Sequence, residues 1–424
     1  MYRLRPHYIF PLGLIATMLA VAACSTKKNT AGTRFWHSFN AKYNTFYNAS
    51  QAYKEGIEAK EKGNSDNYTA RLPFFLVGNE KSAQLGKSNF ETAVEKCEKA
   101  IQLHSIKKRP EVNPSKARSE KTKQYLARRE FNPFLKNAWL LMGQAQFQEG
   151  EFLEAAATFS YITRLYTPEP DVVQEARTWL ARCYAQLDWF YDAEDVLTKL
   201  EREEIPRKIL QERDATKADL LLRQERFEEA LPYLERATKK EPRRLQRARL
   251  YFLQGQVQQL LGNNPAAYKA LSKCVRQNPP YQLAFNARIL QTEVLSGGGQ
   301  GRKMIGTLKR MARSDKNKDY LDQVYYAMGN IYLAQADTAE AIGCYEKGRA
   351  KATRAGIEKG VLLLRLGEVY WDKGRYDKAQ TCYTEAIGLL DKKRKDYPDI
   401  LKRSKILDKL VPYTSAVFLQ DILQ

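Results

Sequence analysis

Histidine is nearly missing from this chain: His7, His37 and His104 are the only three in 424 residues. A His-rich metal site or a histidine-centred catalytic apparatus is therefore not expected. The chain has no His-Glu-x-x-His, no Gly-x-Ser-x-Gly and no Cys-x-x-Cys, which removes the usual signatures of zinc proteases, serine hydrolases and dithiol redox enzymes. Glycine (23) and proline (16) are too few for collagen-like or low-complexity classes. Alternation at period two is nowhere sustained, so strands are not expected. Gly86-Lys87-Ser88 lacks a phosphate loop's first glycine, because position 81 is Lys, and no strand precedes it. The Gly297–Gly301 stretch also follows no strand and reads as a turn. Acidic pairs such as Glu203–Glu204 and Glu228–Glu229 are adjacent on helices, so their side chains diverge and read as solvated faces. The sequence therefore predicts no enzyme, no cofactor and no metal.

Acidic residues are also in deficit: 49 against 70 Lys and Arg, a formal net charge of +21. Hydrophobic residues at 43% and aromatics at 11% are globular values, which excludes wholesale disorder. One apolar stretch stands out, Ile9 to Ala23, behind Arg3 and Arg5. It is shorter than the ~20 residues that cross a bilayer and has the make-up of a signal peptide. It ends Val21-Ala22-Ala23-Cys24, which resembles a bacterial lipobox. Cleavage before Cys24 and acylation of its new amino terminus are the expectation. No Asp and no acidic cluster follow Cys24, so the sorting rules that this resemblance brings imply an outer-membrane anchor with the body facing the periplasm. Two or more acyl chains anchor stably where one does not.

What fills the remainder is a repeat. A small residue, a turn, an aromatic, an alanine and a large residue recur. The second-helix alanines Ala155, Ala193, Ala230 and Ala267 step by 38, 37 and 37 residues, and Ala341 to Ala379 by 38. The series includes Gly143, Phe152 and Phe159; Ala181, Phe190 and Leu197; Ala218, Phe227 and Leu234; and Gly367, Tyr376 and Tyr383. It resembles the tetratricopeptide repeat, whose usual period is ~34. The predicted fold is all-α, an α-α superhelix: a solenoid of helical hairpins, each unable to bury its apolar stripe without a neighbour. The expected organisation is a signal peptide at 1–23, a lipidated linker at 24–33, amino-terminal helical pairs at 34–106 and a basic loop at 107–130. The repeat array follows at 131–391, then carboxy-terminal helices at 392–424. The amino-terminal pairs are placed at Arg34–Lys62 and Ser82–His104. The unit between Gln282 and Arg313 is degenerate. Apart from Cys24, the cysteines Cys97, Cys183, Cys274, Cys344 and Cys382 fall inside repeat helices and read as core thiols. Five is odd, so they cannot form a complete disulfide framework.

Candidate binding residues follow from counting along each unit. Phe147, Arg182, Arg223, Tyr326 and Trp371 are expected on the groove lined by first helices, where exposed Trp, Tyr and Arg are common hot spots. Arg236 to Arg249 carries seven cations and one anion. Its Arg243, Arg244 and Arg247 are either a solvated face or a docking surface for an acidic partner. Nucleic acid is not an expected partner for a lipidated periplasmic chain, and no small-molecule substrate is expected.

Several stretches are more specific: the CSTKKNT mature start, FNAKYNTFYNASQAYKEG, LPFF at 72–75, EKCEKAIQLHSI, NAWLLMGQAQFQEGEFLEAAATFSYI and the closing LDKLVPYTSAVFLQDILQ. Together they resemble the PorW/SprE family of Bacteroidetes lipoproteins. The resemblance implies an accessory of type IX secretion, needed for export of cargo with C-terminal signal domains and for gliding where present. It implies a bridge between periplasmic ring proteins of the PorK/PorN type and an outer-membrane translocon of the Sov/SprA type. Cys24 carries over as the lipid site, and no catalytic residue does. Family members continue beyond the equivalent of Leu423, so the resemblance implies a short or truncated member. The rival classes are a SusD-type glycan-capture lipoprotein, which should carry irregular inserts rich in exposed aromatics, and a periplasmic peptide-holding chaperone.

Overall fold

A spacing of sixteen residues governs the packing. Gly143 and Phe159, Gly255 and Leu271, Gly329 and Tyr345, and Gly367 and Tyr383 are each that far apart. In each pair a Cβ on the glycine would collide with the partner side chain: 2.7 Å from the Phe159 ring, 2.6 Å from Leu271, 2.8 Å from Tyr383. The missing side chain lets two helix backbones close around a large buried one. Burying such a side chain stabilises by roughly 1.5–3 kcal/mol, and the contact recurs along the chain.

A computed structural model describes residues 26–79, 82–113, 119–295 and 300–423, with side chains given up to position 414. Cys24, the address peptide and most of the Ser296–Gly301 turn lie outside the described residues. The described residues are helical, with no strand among them. They form two units, residues up to 66 with 73–240, and residues 67–72 with 241–424.

The first unit opens with α1 (Ala31–Asn40), a π-helical stretch at Ala41–Phe46, and α2 (Tyr47–Gly63). The expected hairpin within Arg34–Lys62 is instead one continuous helical rod. Nothing in it breaks a helix until Gly63-Asn64, where the chain turns extended. Its partner is α3 (Lys87–His104), so the two expected pairs are one. Gly86, left-handed at φ 73°, starts α3 against the backbone of Gly56. Within the basic stretch lies a short helix, α4 (Glu120–Leu126), capped by the Ser119 hydroxyl. Three hairpins follow: α5 (Leu135–Glu149) with α6 (Phe152–Leu165), α7 (Pro170–Gln186) with α8 (Phe190–Glu201), and α9 (Arg207–Arg223) with α10 (Phe227–Lys240).

The second unit holds four: α11 (Arg244–Leu260) with α12 (Asn264–Arg276), α13 (Tyr281–Val294) with α14 (Gly301–Arg313), α15 (Leu321–Ala334) with α16 (Thr338–Lys351), and α17 (Ile357–Asp372) with α18 (Tyr376–Ile387). The helix α19 (Tyr397–Leu423) closes it, burying Ile400 and Leu407 against Tyr383 and Leu390. Six described hairpin turns share one geometry. Gly150, Asp188, Glu225, Gly262, Ala336 and Gly374 all have positive φ, between 59° and 98°. The next amide bonds back across the turn, as from Arg226 to the Leu221 carbonyl at 3.0 Å and from Asp337 to that of Tyr332 at 2.9 Å, which satisfies carbonyls orphaned at the helix end. All five cysteines beyond Cys24 are free and buried. Burial pushes Cys97, Cys183, Cys274 and Cys382 up to about 12, so these are packing groups, not reactive thiols.

Candidate functional site

First helices line the face on which a partner was expected, and in both units the chain itself occupies that face. In the first unit, α5, α7 and α9 bring Phe147, Arg182 and Arg223 together as the spacing requires. Phe147 is fully buried, however, and Arg182 is only 3% exposed. The Arg182 guanidinium pairs with Glu212 at 2.6 Å and donates to the Thr216 hydroxyl at 3.1 Å. It lies flat between two rings, 4.1 Å from Trp179 and 4.4 Å from Phe75. Phe75 also meets Phe147 edge-on, and Val77 joins the cluster of Phe147, Phe159 and Trp179. Gly78 sits so close that a Cβ would come 3.2 Å from the Arg223 guanidinium. Arg223 itself bonds Gln186 at 2.5 Å and Asp219 at 3.2 Å. Three residues expected to await a partner are thus closed over by residues 75–78.

In the second unit, residues 68–72 lie against α11: Tyr68–Ala70 form a turn, closed by the Ala70 amide on the Asn67 carbonyl, and Arg71–Leu72 follow it. Gln256 clamps them by the main chain: its Oε1 accepts from the Leu72 amide at 2.9 Å, and its Nε2 donates to the Ala70 carbonyl at 2.8 Å. Leu72 is buried with Phe252 and Leu283, and the Tyr68 ring meets Phe252 edge-on. Beside this strand of chain a cavity of about 300 Å³ stays open. Its wall comes from α11, α13, α15 and α17 and is rich in carboxamides, with Gln259, Asn286, Gln323 and Asn330 among them. Tyr326 lies on this wall as expected, and burial raises its hydroxyl pKa.

Glu293 is the wall residue that sequence reasoning missed. Asn330 Nδ2 is 3.4 Å from Glu293 Oε1, and burial lifts the carboxyl to about 7. Its repeat is the degenerate one, where position-counting had no reference. Trp371 is elsewhere: it packs edge-on against Tyr376 across its own hairpin, and the Arg403 guanidinium of α19 sits 5.4 Å over its ring. Its expected place on the groove is corrected, because α19 covers that end.

The basic stripe is also resolved by its partners. Arg243 pairs with Glu241 at 3.1 Å. Arg244 donates to the Gln277 carbonyl, and Arg247 donates to the Gln277 side chain and the Glu241 carbonyl, each at 2.9 Å. Gln277 caps α12, so these arginines tie off a helix end where cations are favourable. Arg236 is bound to Asp214 at 2.9 Å and Arg249 to Gln246 at 2.9 Å. Arg243 and Arg244 stay exposed beside these bonds, so a docking surface and a solvated face both remain open for them. Among the described residues no group of three metal-ligating side chains occurs, and no helix is long and apolar enough to cross a membrane.

Two tetratricopeptide repeat models match the sequence, one over residues 320–392 and one over 216–281. No curated protein matches it. Similar solved structures include a tetratricopeptide repeat protein from Parabacteroides merdae, 14% identical over 64% of this chain and 98% of that one, with a TM-score of 0.45. The apo quorum sensor NprR of B. thuringiensis is 13% identical over 65% and 80%, at 0.40. PilF of Pseudomonas aeruginosa is 14% identical over 63% and 97%, at 0.34.

Proposed function

Because the chain is a tetratricopeptide-repeat protein, a class that serves as protein-interaction scaffolds, we propose that it is a scaffold lipoprotein of type IX secretion. In this reading Cys24 carries the acyl anchor, the outer membrane holds it, and the array faces the periplasm. Its partners are ring subunits of the PorK/PorN type and a translocon of the Sov/SprA type. The observation that carries the scaffold is the pairing of Gln256 with the main chain of residues 70–72: the groove holds polypeptide through groups that every residue has. The open cavity with its carboxamide wall offers the same chemistry to a second chain. The secretion machinery itself rests on the sequence resemblance and on the lipobox.

The regular spacing of the repeats disfavours glycan capture. Deleting the gene is the direct test. Cargo with C-terminal signal domains should then accumulate in the periplasm, and the acylated protein should co-purify with ring or translocon subunits. Normal cargo export, or capture of glycans in place of those subunits, refutes the reading.

A further inference from the structure

The helical rod α1–π–α2 exposes aromatics that no other described element covers. Phe35, Phe39, Tyr43 and Tyr47 recur every four residues and are 71%, 48%, 59% and 56% exposed. The Phe35 and Phe39 rings stack at 6.1 Å, and those of Phe39 and Tyr43 meet tilted at 4.8 Å. Trp36 flanks the row at 38% exposed, and the Lys42 ammonium lies 4.8 Å from the Tyr43 ring. The opposite face is small and buried: Thr33, His37, Ala41, Thr45 and Ala49. A four-residue step drifts by about 40° per turn on an α-helix, so either row would wind around the rod. The π-helical stretch at Ala41–Phe46 turns more slowly and resets that drift. Both rows therefore stay on their own faces.

A second feature adjoins the start of the rod. Lys28, Arg34, Lys108 and Arg109 line a cleft of about 530 Å³ with one acid, Glu111. Asn29 ties the two segments together, donating to the Lys108 carbonyl at 2.6 Å. Lys27, Lys28, Lys108 and Arg109 are exposed. The basic stretch thus has a defined place, beside the first described residues of the chain.

Position identifies the occupant. Ala31 stands seven positions after Cys24, a reach of at most roughly 25 Å. If Cys24 is acylated, as the proposed function holds, the rod cannot leave the neighbourhood of the bilayer surface. Aromatic rings with an apolar body and a polar edge settle at the membrane interface, and clustered cations attract anionic headgroups. We infer that this face of the amino-terminal rod docks on an anionic phospholipid surface: the Phe35–Tyr47 row enters the interface, and the Lys28–Arg109 cleft takes a headgroup phosphate. The acyl group then sets distance and the rod sets orientation.

The test uses the processed chain with Cys24→Ser, so that no acyl group contributes. It is co-sedimented with vesicles of phosphatidylethanolamine and phosphatidylglycerol. Binding is expected, weakened by salt and by roughly tenfold in Phe39→Ser/Tyr43→Ser, two exposed sites whose change leaves the helical signal intact. Lys108→Glu/Arg109→Glu should remove the preference over phosphatidylcholine vesicles. Equal binding by the aromatic variant overturns the inference. So does self-association without vesicles that the same variant abolishes, since the row would then face a second copy. Loss of binding only through a lost partner protein would be a third refutation. The mass of the native protein reports acylation separately. Vesicle binding upholds the docking face even where native Cys24 proves bare, and acylation without vesicle binding refutes the face while sparing the anchor.

Discussion

The grooves of the two units are built from the same repeat and are filled in opposite ways. In the first, side chains of the crossing segment do the work: Phe75 stacks on a buried Arg182, Val77 enters the core, and Gly78 presses on Arg223. In the second, the crossing segment is held by its main chain through Gln256, and a cavity with Glu293 on its wall is left beside it. A groove closed by side chains belongs to the fold. A groove gripped by backbone amides, with room left over, is the place where another polypeptide can add. The difference lies in the residues at equivalent positions, aromatic and arginine in one and carboxamide in the other.

The largest test of that contrast is Arg182→Ala. It strips Glu212 and Thr216 of their partner and removes the slab between Phe75 and Trp179, a loss of roughly 3 kcal/mol. Thermal melting should show it, with early proteolysis around Phe75. An unchanged melt would mean that the first groove is as open as the second. Gln256→Ala should cost less, about 1–2 kcal/mol, since one buried amide and one carbonyl lose a neutral partner. Hydrogen exchange at Leu72 should rise while the first unit stays protected. Exchange that does not change would show that the clamp is not what holds the segment.

A smaller effect separates the units by pH. His37 and His104 face each other in the first unit, Nδ1 to Nδ1 at 3.0 Å. Burial lowers both below the ordinary 6.5, and for His104 the charge of His37 adds to it. The unfolded chain binds protons first as pH falls, so the first unit loses stability below about 6.5. Glu293 in the second unit works the other way. Its carboxyl is raised by burial from 4.5 to about 7, so the folded state holds the proton longer, and stability declines as pH rises through that window. Acid should therefore loosen the first unit before the second, read by exchange at the amides of α1 and α13. Glu293→Gln should flatten the second unit's response, and His37→Phe that of the first. A common pH profile for both units breaks the comparison.

What the sequence could tell depended on distance. The Gly143–Phe159 and Gly367–Tyr383 pairs were legible because one helical turn's geometry and a short loop fix them at sixteen residues. The all-α array followed from such pairs, as did the burial of the thiols. The segment at 68–72 could not be read, since Leu72 bonds Gln256 across 184 positions and nothing in LPFF names that partner. The partner of the arginine stripe was hidden for the same reason: Gln277, which binds Arg244 and Arg247, lies about thirty residues away. Trp371 was placed by counting alone, which has no term for the helix α19 that covers it. Tyr326, counted the same way, does line the cavity, where no later helix covers it.

The hairpin turns offer the finest comparison, because six described turns share one geometry yet differ in residue. Gly150, Gly262 and Gly374 take their positive φ without steric cost, while Glu225 in the first unit and Ala336 in the second hold φ of 59° and 60° with a Cβ. A left-handed residue that carries a Cβ costs about 1–2 kcal/mol, offset partly by the unfolded-state freedom that glycine adds. Ala336→Gly should therefore raise the melting point, by a net of about 0.5–1 kcal/mol. Its side chain makes no charged contact, so nothing is lost. Glu225→Gly should gain less, because Glu225 takes part in an interaction of its own. Equal gains would show that the strain alone matters at these turns, and a loss at Ala336 would show that the turn's geometry is set by more than its φ.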